Sequence, residues 1–205
     1  MNILILCNGR APSDPLLEEA LQQADFFIAA DGGANIARSL GHRPDVVIGD
    51  LDSYQKKEAD SFKIIHKPSQ YANDLEKALQ LAHTKEASSV TVLGATGLRL
   101  DHTLKNLSVL KQFNSLFESL IFRDDFGSTQ LLPKEFSKEI EIDTPVSLFP
   151  LSGKVSGITT HGLKYPLNDE SIENGIRDGS SNTVTESPVQ ISHASGDLLL
   201  FIAHT

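Results

Sequence analysis

The chain has 205 residues, 40% hydrophobic and 22% charged, which suits one large folded domain or two small ones and excludes collagen, coiled coil and wholesale disorder. Asp and Glu number 27 against 18 Lys and Arg, a formal charge of −9 that repels phosphate backbones and anionic lipid; with no basic run to offset it, neither a nucleic-acid nor a membrane partner is expected. The single cysteine, Cys7, excludes an intrachain disulfide and a cysteine-built zinc site.

The chain opens on Asn2 to Cys7, a continuous apolar strand. A helix follows from Pro15 to Ala24, opening after Ser13, then a strand from Phe26 to Ala30 and a helix from Ala34 to Leu40. Val46 to Ile48 is the third strand. A weaker helix and a short strand, Lys63 to His66, come next. Over Asp74 to Lys85, Leu75, Ala78, Leu79 and Ala82 share one helical face. Val90 to Leu93 is a strand, Leu104, Leu107 and Leu110 mark a helix, and Leu120 to Phe122 returns to strand. Fully apolar strands separated by helices predict a parallel sheet covered on both faces, a three-layer α/β domain. Helical periodicity then fades. Short β-like runs at Val146 to Phe149, Val155 to Thr160, Val189 to Ser192 and Leu198 to Ala203, separated by Pro, Gly, Asn and Ser, predict a C-terminal antiparallel β-sandwich. The expected domains are 1–128 and 129–205. No basic leader and no apolar run near the roughly 20 residues of a membrane span are present, so a cytoplasmic location is expected.

Ligands of open α/β sheets bind beyond the carboxyl ends of the strands. Here those ends carry Asn8-Gly9-Arg10, Asp31-Gly32-Gly33, Gly49-Asp50-Leu51-Asp52-Ser53 and Gly94-Ala95-Thr96-Gly97, the last followed by Arg99 and Asp101. Glycines allow close backbone approach and helix N-termini attract anions, so four such loops predict a site for a phosphate-bearing ligand. Asp50 and Asp52, two apart, share a face if the backbone stays extended; with Asp74 or Asp101 they offer oxygen ligands to a hard divalent cation such as Mg²⁺. Such a cation resolves the repulsion between aspartates and a nucleotide, and Arg99 is placed to pair with phosphate oxygens. Plainer readings stand beside these. Asp31 and Asp101 precede helices, where Asp is a favoured N-cap. Asn73 with Glu76 resembles a capping box, which makes Asp74 a first-turn charge. Asp50 to Ser53 also reads as a polar turn opening a helix. Neither GxxxxGK[ST] nor GxGxxG is present.

At these residues the chain resembles the thiamin pyrophosphokinase (thiamin diphosphokinase) family. The resemblance rests on Ala30-Asp31-Gly32-Gly33-Ala34-Asn35, Gly49 to Ser53, Asp74-Leu75-Glu76-Lys77-Ala78-Leu79, and Gly94 to Leu104 with Asn106. It continues through Ser147 to Pro150, Gly162 to Leu167 and Gly179-Ser180-Ser181-Asn182. It implies diphosphoryl transfer from ATP to the hydroxyl of thiamin, giving thiamin diphosphate and AMP, by a Mg²⁺-dependent homodimer with active sites between subunits. It implies a catalytic ATP- and Mg²⁺-binding first domain and a thiamin-binding second. On matching positions Asp50, Asp52 and Asp74 would hold Mg²⁺. Arg99 and Asp101 would sit at the reaction centre. Asp31, Gly32, Gly33, Ala34, Gly94, Thr96 and Gly97 would line the ATP site, and Tyr165, Ser181 and Asn182 would hold thiamin. The chain departs from the family pattern at Tyr71, where an Asp is common, at Asn73 in place of Thr, and at Leu98, often Gly. Two other readings remain: a DxD-type metal-dependent nucleotide-sugar transferase, and a non-catalytic thiamin- or nucleotide-binding sensor.

Overall fold

A computed structural model describes residues 1–58 and 60–204. The chain divides into two units, Met1–Asp125 and the residues from Phe126 onward.

The first unit alternates strand and helix: β1 (Asn2–Leu6), α1 (Asp14–Gln22), β2 (Phe26–Ala30), α2 (Gly33–Ser39), β3 (Val46–Gly49), β4 (Lys63–His66), α3 (Asp74–Thr84), β5 (Ser89–Leu93), α4 (Leu100–Phe113) and β6 (Ser119–Asp124). Its strands pair in parallel in the order β6-β5-β1-β2-β3-β4. Ile3, Leu4, Ile5 and Leu6 of β1 are all buried, as a strand covered on both faces requires. Leu16, Leu17 and Ala20 of α1 pack on Leu4, Leu6, Phe27 and Leu93. The chain winds outward from β1 to β4, then returns to place β5 on the other side of β1. That reversal puts a crevice at the carboxyl ends of β1 and β5.

One expectation is corrected here. The described residues between Asp50 and Lys63 form no helix. Their backbone donors go to side chains instead: Asp31 accepts from the N–H groups of Ser53 and Tyr54, and Asp60 accepts from the N–H of Lys57. Such side-chain acceptors compete with the carbonyl ladder of a helix. In α4 the inward face is Asn106, Val109, Leu110 and Phe113, while Leu104 is exposed.

The second unit contains β7 (Gly127–Leu131), β8 (Glu135–Lys138), β9 (Pro145–Pro150), β10 (Val155–His161), β11 (Glu170–Ile172), β12 (Gly179–Thr183), β13 (Val189–Ser192) and β14 (Leu198–Ala203). They form two antiparallel layers, β12-β9-β14-β7 and β11-β10-β13-β8. Val146, Leu148, Leu198 and Leu200 of one layer share a core with Val155, Ile158, Ile172, Val189 and Ile191 of the other. This is the expected sandwich.

His193, just beyond β13, is 5% exposed and its Nδ1 has no partner. Burial, then the charge of Lys134, holds its pKa below the ordinary value, against a smaller opposing pull from Gly196 and Asp197. Below about pH 6.5 the unfolded chain takes up a proton that the folded unit resists. Stability is therefore expected to fall as pH drops through that value and to level off below the folded pKa. Urea unfolding midpoints from about pH 8 to about pH 5 check this; His193→Gln should flatten the slope, and an unchanged slope removes His193 as its source.

Candidate active site

The loops after β1, β2, β3 and β5 line one cleft of about 470 Å³ within the first unit. Asn8 and Gly9 follow β1, Asp31 follows β2, and Asp50, Asp52 and Ser53 follow β3. Asn73 and Asp74 open α3. Gly94, Ala95, Gly97 and Leu98 follow β5, and Arg99, His102 and Asn106 come from the start of α4. Two glycines make this convergence possible. A Cβ on Gly49 would sit 2.8 Å from the Cβ of Asp31 and 3.0 Å from Oδ1 of Asp74. Gly94 has φ +67°, and a Cβ there would sit 2.5 Å from the carbonyl oxygen of Cys7.

Three carboxylates meet in the cleft. Asp31, Asp50 and Asp74 each present an oxygen, all within 4.8 Å of one another. Asp31 is 3% exposed. Its carboxylate accepts from the N–H of Ser53 at 3.1 Å and of Tyr54 at 3.2 Å. Burial, and then the charge of Asp74, raises its pKa against the opposing hydrogen bonds from Ser53 and Gly32. Oδ2 of Asp50 accepts from the Gln70 amide at 2.8 Å, and that bond is the chief reason its pKa lies below the usual value. Oδ1 of Asp74 accepts from Nζ of Lys77 at 2.8 Å and from the N–H of Asp50 at 3.3 Å. The Lys77 side chain is only 6% exposed, a cation built into the wall of the acid cluster.

Asp52 lines the cleft but lies outside the three-oxygen group among the described residues, and its carboxylate accepts the Ser53 hydroxyl at 3.0 Å. Leu51 between the two aspartates has φ +67°, so the backbone is not extended there and Asp50 and Asp52 do not share a face. Asp31 takes the place beside Asp50 and Asp74. Nor is Asp31 a helix cap: the N-cap of α2 is Gly32, without a side-chain bond. Both readings of Asp74 hold together, because Asn73 and Glu76 form a complete capping box while Asp74 faces the cluster.

Three hard oxygen donors, one braced by two backbone N–H groups and one by a lysine, suit Mg²⁺, which takes one or two carboxylates and fills its octahedron with water and phosphate oxygens. The buried Cys7 thiol, pushed up to about 12 by burial and then by Asp74, stays protonated and supplies no soft ligand.

Arg99 pairs with Asp101 through two bonds, 3.1 and 2.6 Å, on the exposed start of α4. The arginine holds the Asp101 carboxyl below the usual range. Asp101 is not an N-cap; Arg99 occupies that position. Gly94 and Gly97 reach the cleft, whereas Thr96 donates to Asp124 at 3.0 Å and, like Gly32, Gly33 and Ala34, is not among the lining residues. Tyr71 is fully exposed and off the cleft wall. Lys77 and Gln70 went unread as site residues. The i,i+3 spacing of Lys77 from Asp74 was the available signal; no sequence signal ties Gln70 to Asp50.

In the second unit Tyr165 and Asn182 line a pocket of about 140 Å³ with Arg177, Asp178 and Leu148. Asn182 is engaged at both ends of its amide: Oδ1 accepts from the N–H groups of Tyr165 (3.0 Å) and Thr183 (2.9 Å), and Nδ2 donates to the Tyr165 carbonyl at 2.8 Å. Ser181 has φ +58°, donates its N–H to Ser147 at 3.0 Å and is not a lining residue.

The chain thus combines a parallel α/β unit with a carboxylate-lined cleft at its sheet reversal and a two-layer antiparallel sandwich. The profile "Thiamin pyrophosphokinase, catalytic domain" matches residues 17–121, and "Thiamin pyrophosphokinase, vitamin B1 binding domain" matches residues 135–198. Thiamine pyrophosphokinase 1 of Arabidopsis thaliana is 30% identical, over 98% of this chain and 85% of its own length. Thiamine pyrophosphokinase of Bacillus subtilis is 27% identical over 97% and 96%. The crystal structure of a B. subtilis thiamine pyrophosphokinase superimposes with a TM-score of 0.85 at 25% identity, covering 99% of each chain. The solved structure of thiamin pyrophosphokinase from Candida albicans gives 0.87 at 23% identity, covering 100% of this chain and 89% of its own, a likeness of fold. The chain belongs to the thiamin pyrophosphokinase family. These matches support neither a nucleotide-sugar transferase nor a non-catalytic sensor.

Leu98 has φ +58° and is 79% exposed. Left-handed backbone costs a non-glycine residue roughly 1–2 kcal/mol, and glycine loses roughly 0.5–1 kcal/mol in chain entropy. Leu98→Gly is therefore expected to leave unfolding free energy unchanged to within about 1 kcal/mol. A loss above about 2 kcal/mol in urea unfolding would show packing by this side chain that its exposure conceals.

Proposed function

We propose that the protein is a thiamin diphosphokinase that uses Mg²⁺ and ATP. The observation that carries the reading is the convergence of Asp31, Asp50 and Asp74 in the switch-point cleft of a chain belonging to this family. In the reaction the thiamin hydroxyl oxygen bonds to the β-phosphorus of ATP. The bond from that phosphorus to the oxygen bridging the α-phosphorus breaks, AMP leaves, and the hydroxyl proton passes to a base or to solvent. Transfer of this kind needs alignment and charge neutralisation more than covalent help.

Asp50, Asp52 and Asp74, with Asp31, are the proposed Mg²⁺ ligands, three of them already converged and Asp52 beside them. The bound cation would offset the charge of the ATP oxygens. Asp31, Gly32, Gly33, Ala34, Gly94, Thr96 and Gly97 build the proposed nucleotide site, the first, fifth and last at its surface and the others as backing. Arg99 is exposed, so its guanidinium can exchange Asp101 for phosphate oxygens. Asp101, whose oxygens are released when Arg99 turns to phosphate, is the proposed acceptor for the hydroxyl proton. In the second unit Tyr165 stacks on the cationic thiamin rings, and Asn182 holds the Tyr165 backbone in place. Ser181 sits on the same strand. The working form is proposed to be a cytoplasmic homodimer; no helix among the described residues is long and apolar enough to cross a membrane.

Purified protein with ATP, Mg²⁺ and thiamin should yield thiamin diphosphate and AMP. ADP with thiamin monophosphate would refute diphosphoryl transfer. Asp50→Asn and Asp74→Asn should each lower kcat/KM by roughly 10–100-fold or more, with little loss of thermal midpoint. Asp101→Asn should slow the single-turnover rate; an unchanged rate removes Asp101 from the chemistry.

A further inference from the structure

A chain of side-chain amides runs along one wall of the cleft. Asn106, in the second turn of α4, is buried, and both ends of its amide are used. Nδ2 donates to the carbonyl oxygen of Ala95 at 2.7 Å, and Oδ1 accepts from Nδ2 of Asn73 at 2.9 Å. Asn73 is tied in turn to α3. Its Oδ1 accepts from the N–H of Glu76 at 2.9 Å, and its own N–H donates to the Glu76 carboxylate at 2.7 Å. Lys105, next to Asn106, reaches the same Glu76 carboxylate at 3.1 Å. The residue after Asn73 is Asp74.

The Ala95 bond belongs to a set of three. The carbonyl oxygens of Gly94 and Thr96 accept from the N–H groups of Gly9 at 2.9 Å and Arg10 at 3.0 Å. Three successive carbonyls are thus pinned by donors from β1's exit loop and from α4. In a planar trans peptide the following N–H points opposite to the carbonyl, so the N–H groups of residues 95 to 97 are aimed away from those donors. Successive N–H groups in a turn conformation can form an anion-binding concavity, and Gly94 and Gly97 both have positive φ in this loop. Asn106 supplies the middle of the three anchors, and through Asn73 joins it to the helix end that presents Asp74.

Resting on the diphosphokinase reading, we infer that Asn106 and Asn73 are positioning residues: their amide bridge locks the glycine loop 94–97 and Asp74 into one unit, so that the phosphate cradle and the metal carboxylates keep a fixed spacing. Each amide is anchored at both its oxygen and its nitrogen end by the bonds named, and it is through the loop and the helix so held that both residues are inferred to act. Asparagine at position 73 performs two tasks at once, capping α3 with its oxygen and bridging to α4 with its nitrogen. A serine there keeps the cap and is too short to bridge while capping.

The test compares Asn106→Leu, Asn73→Ser and the double variant, each measured well below its own melting temperature. In each variant the Mn²⁺ dissociation constant of the nucleotide-free protein, read by electron paramagnetic resonance, should rise about ten-fold. KM for ATP should rise by a similar factor. The double variant should be no worse than Asn106→Leu alone, because that change already cuts the bridge. A lowered melting temperature with wild-type Mn²⁺ affinity and wild-type KM for ATP would overturn the inference, leaving the bridge a structural brace. Single-variant effects that multiply in the double variant would overturn it as well. Should Asn106→Leu fail to fold, Asn73→Ser, which retains the helix cap, decides the question by itself. Should the wild-type protein form no thiamin diphosphate, the functional reading falls, and the Mn²⁺ constants still judge the bridge.

Discussion

Three like charges in one small space are the constraint around which the first unit is built. At about 4 Å, two carboxylates repel by on the order of 1 to 4 kcal/mol, depending on how much water screens them. Asp31, Asp50 and Asp74 nevertheless present oxygens within 4.8 Å of one another. The surrounding structure spends its hydrogen bonds and its unusual backbone on keeping them there. Gly49 leaves the room that any side chain would fill. Two backbone N–H groups brace Asp31, Gln70 braces Asp50, and the buried ammonium of Lys77 offsets part of the charge at Asp74. Asp31 and Leu51 both adopt left-handed backbone, φ +46° and +67°. Three carboxylates against one buried lysine leave a net negative charge in the cleft, and that imbalance is the ground on which a divalent cation is proposed there.

Much of this was legible in the chain. The continuous apolar runs at β1, β2 and β5 announce a parallel sheet, and the glycine- and aspartate-rich ends of those strands point to its carboxyl edge. The sandwich core follows from Val146, Leu148, Val155, Ile158, Ile191, Leu198 and Leu200, whose alternation survives in the structure. What escaped has physical reasons. The sequence of β12, Gly-Ser-Ser-Asn-Thr, has little strand propensity and exists as a strand because β9 offers it a ladder. The segment after Asp50 carries helix-like residues, but its backbone donors are captured by Asp31 and Asp60, contacts between residues far apart in sequence or made inside an irregular loop. Substituting Asp31 for Asp52 in the acid group turns on one dihedral, φ of Leu51, which no spacing argument contains.

The departures from the family pattern look different once placed. Leu98 keeps the left-handed backbone that glycine favours, so the loop geometry persists without it. Tyr71 turns outward and leaves the cleft, and Gln70 beside it supplies a neutral amide to Asp50. Asp31, Asp50 and Asp74 come together without a carboxylate at position 71. In the second unit, the buried Asn182 amide sets the backbone of an exposed tyrosine, a pattern that presents an aromatic face while keeping its polar framework satisfied.

Anomalous diffraction from crystals grown with Mn²⁺ and a non-hydrolysable ATP analogue tests the central claim most directly. The account expects a strong peak within coordinating distance of oxygens from Asp31, Asp50 and Asp74, contacting the analogue's phosphates. A peak elsewhere, such as at the surface group Asp14, Glu18 and His42, with none among those three aspartates, would contradict it.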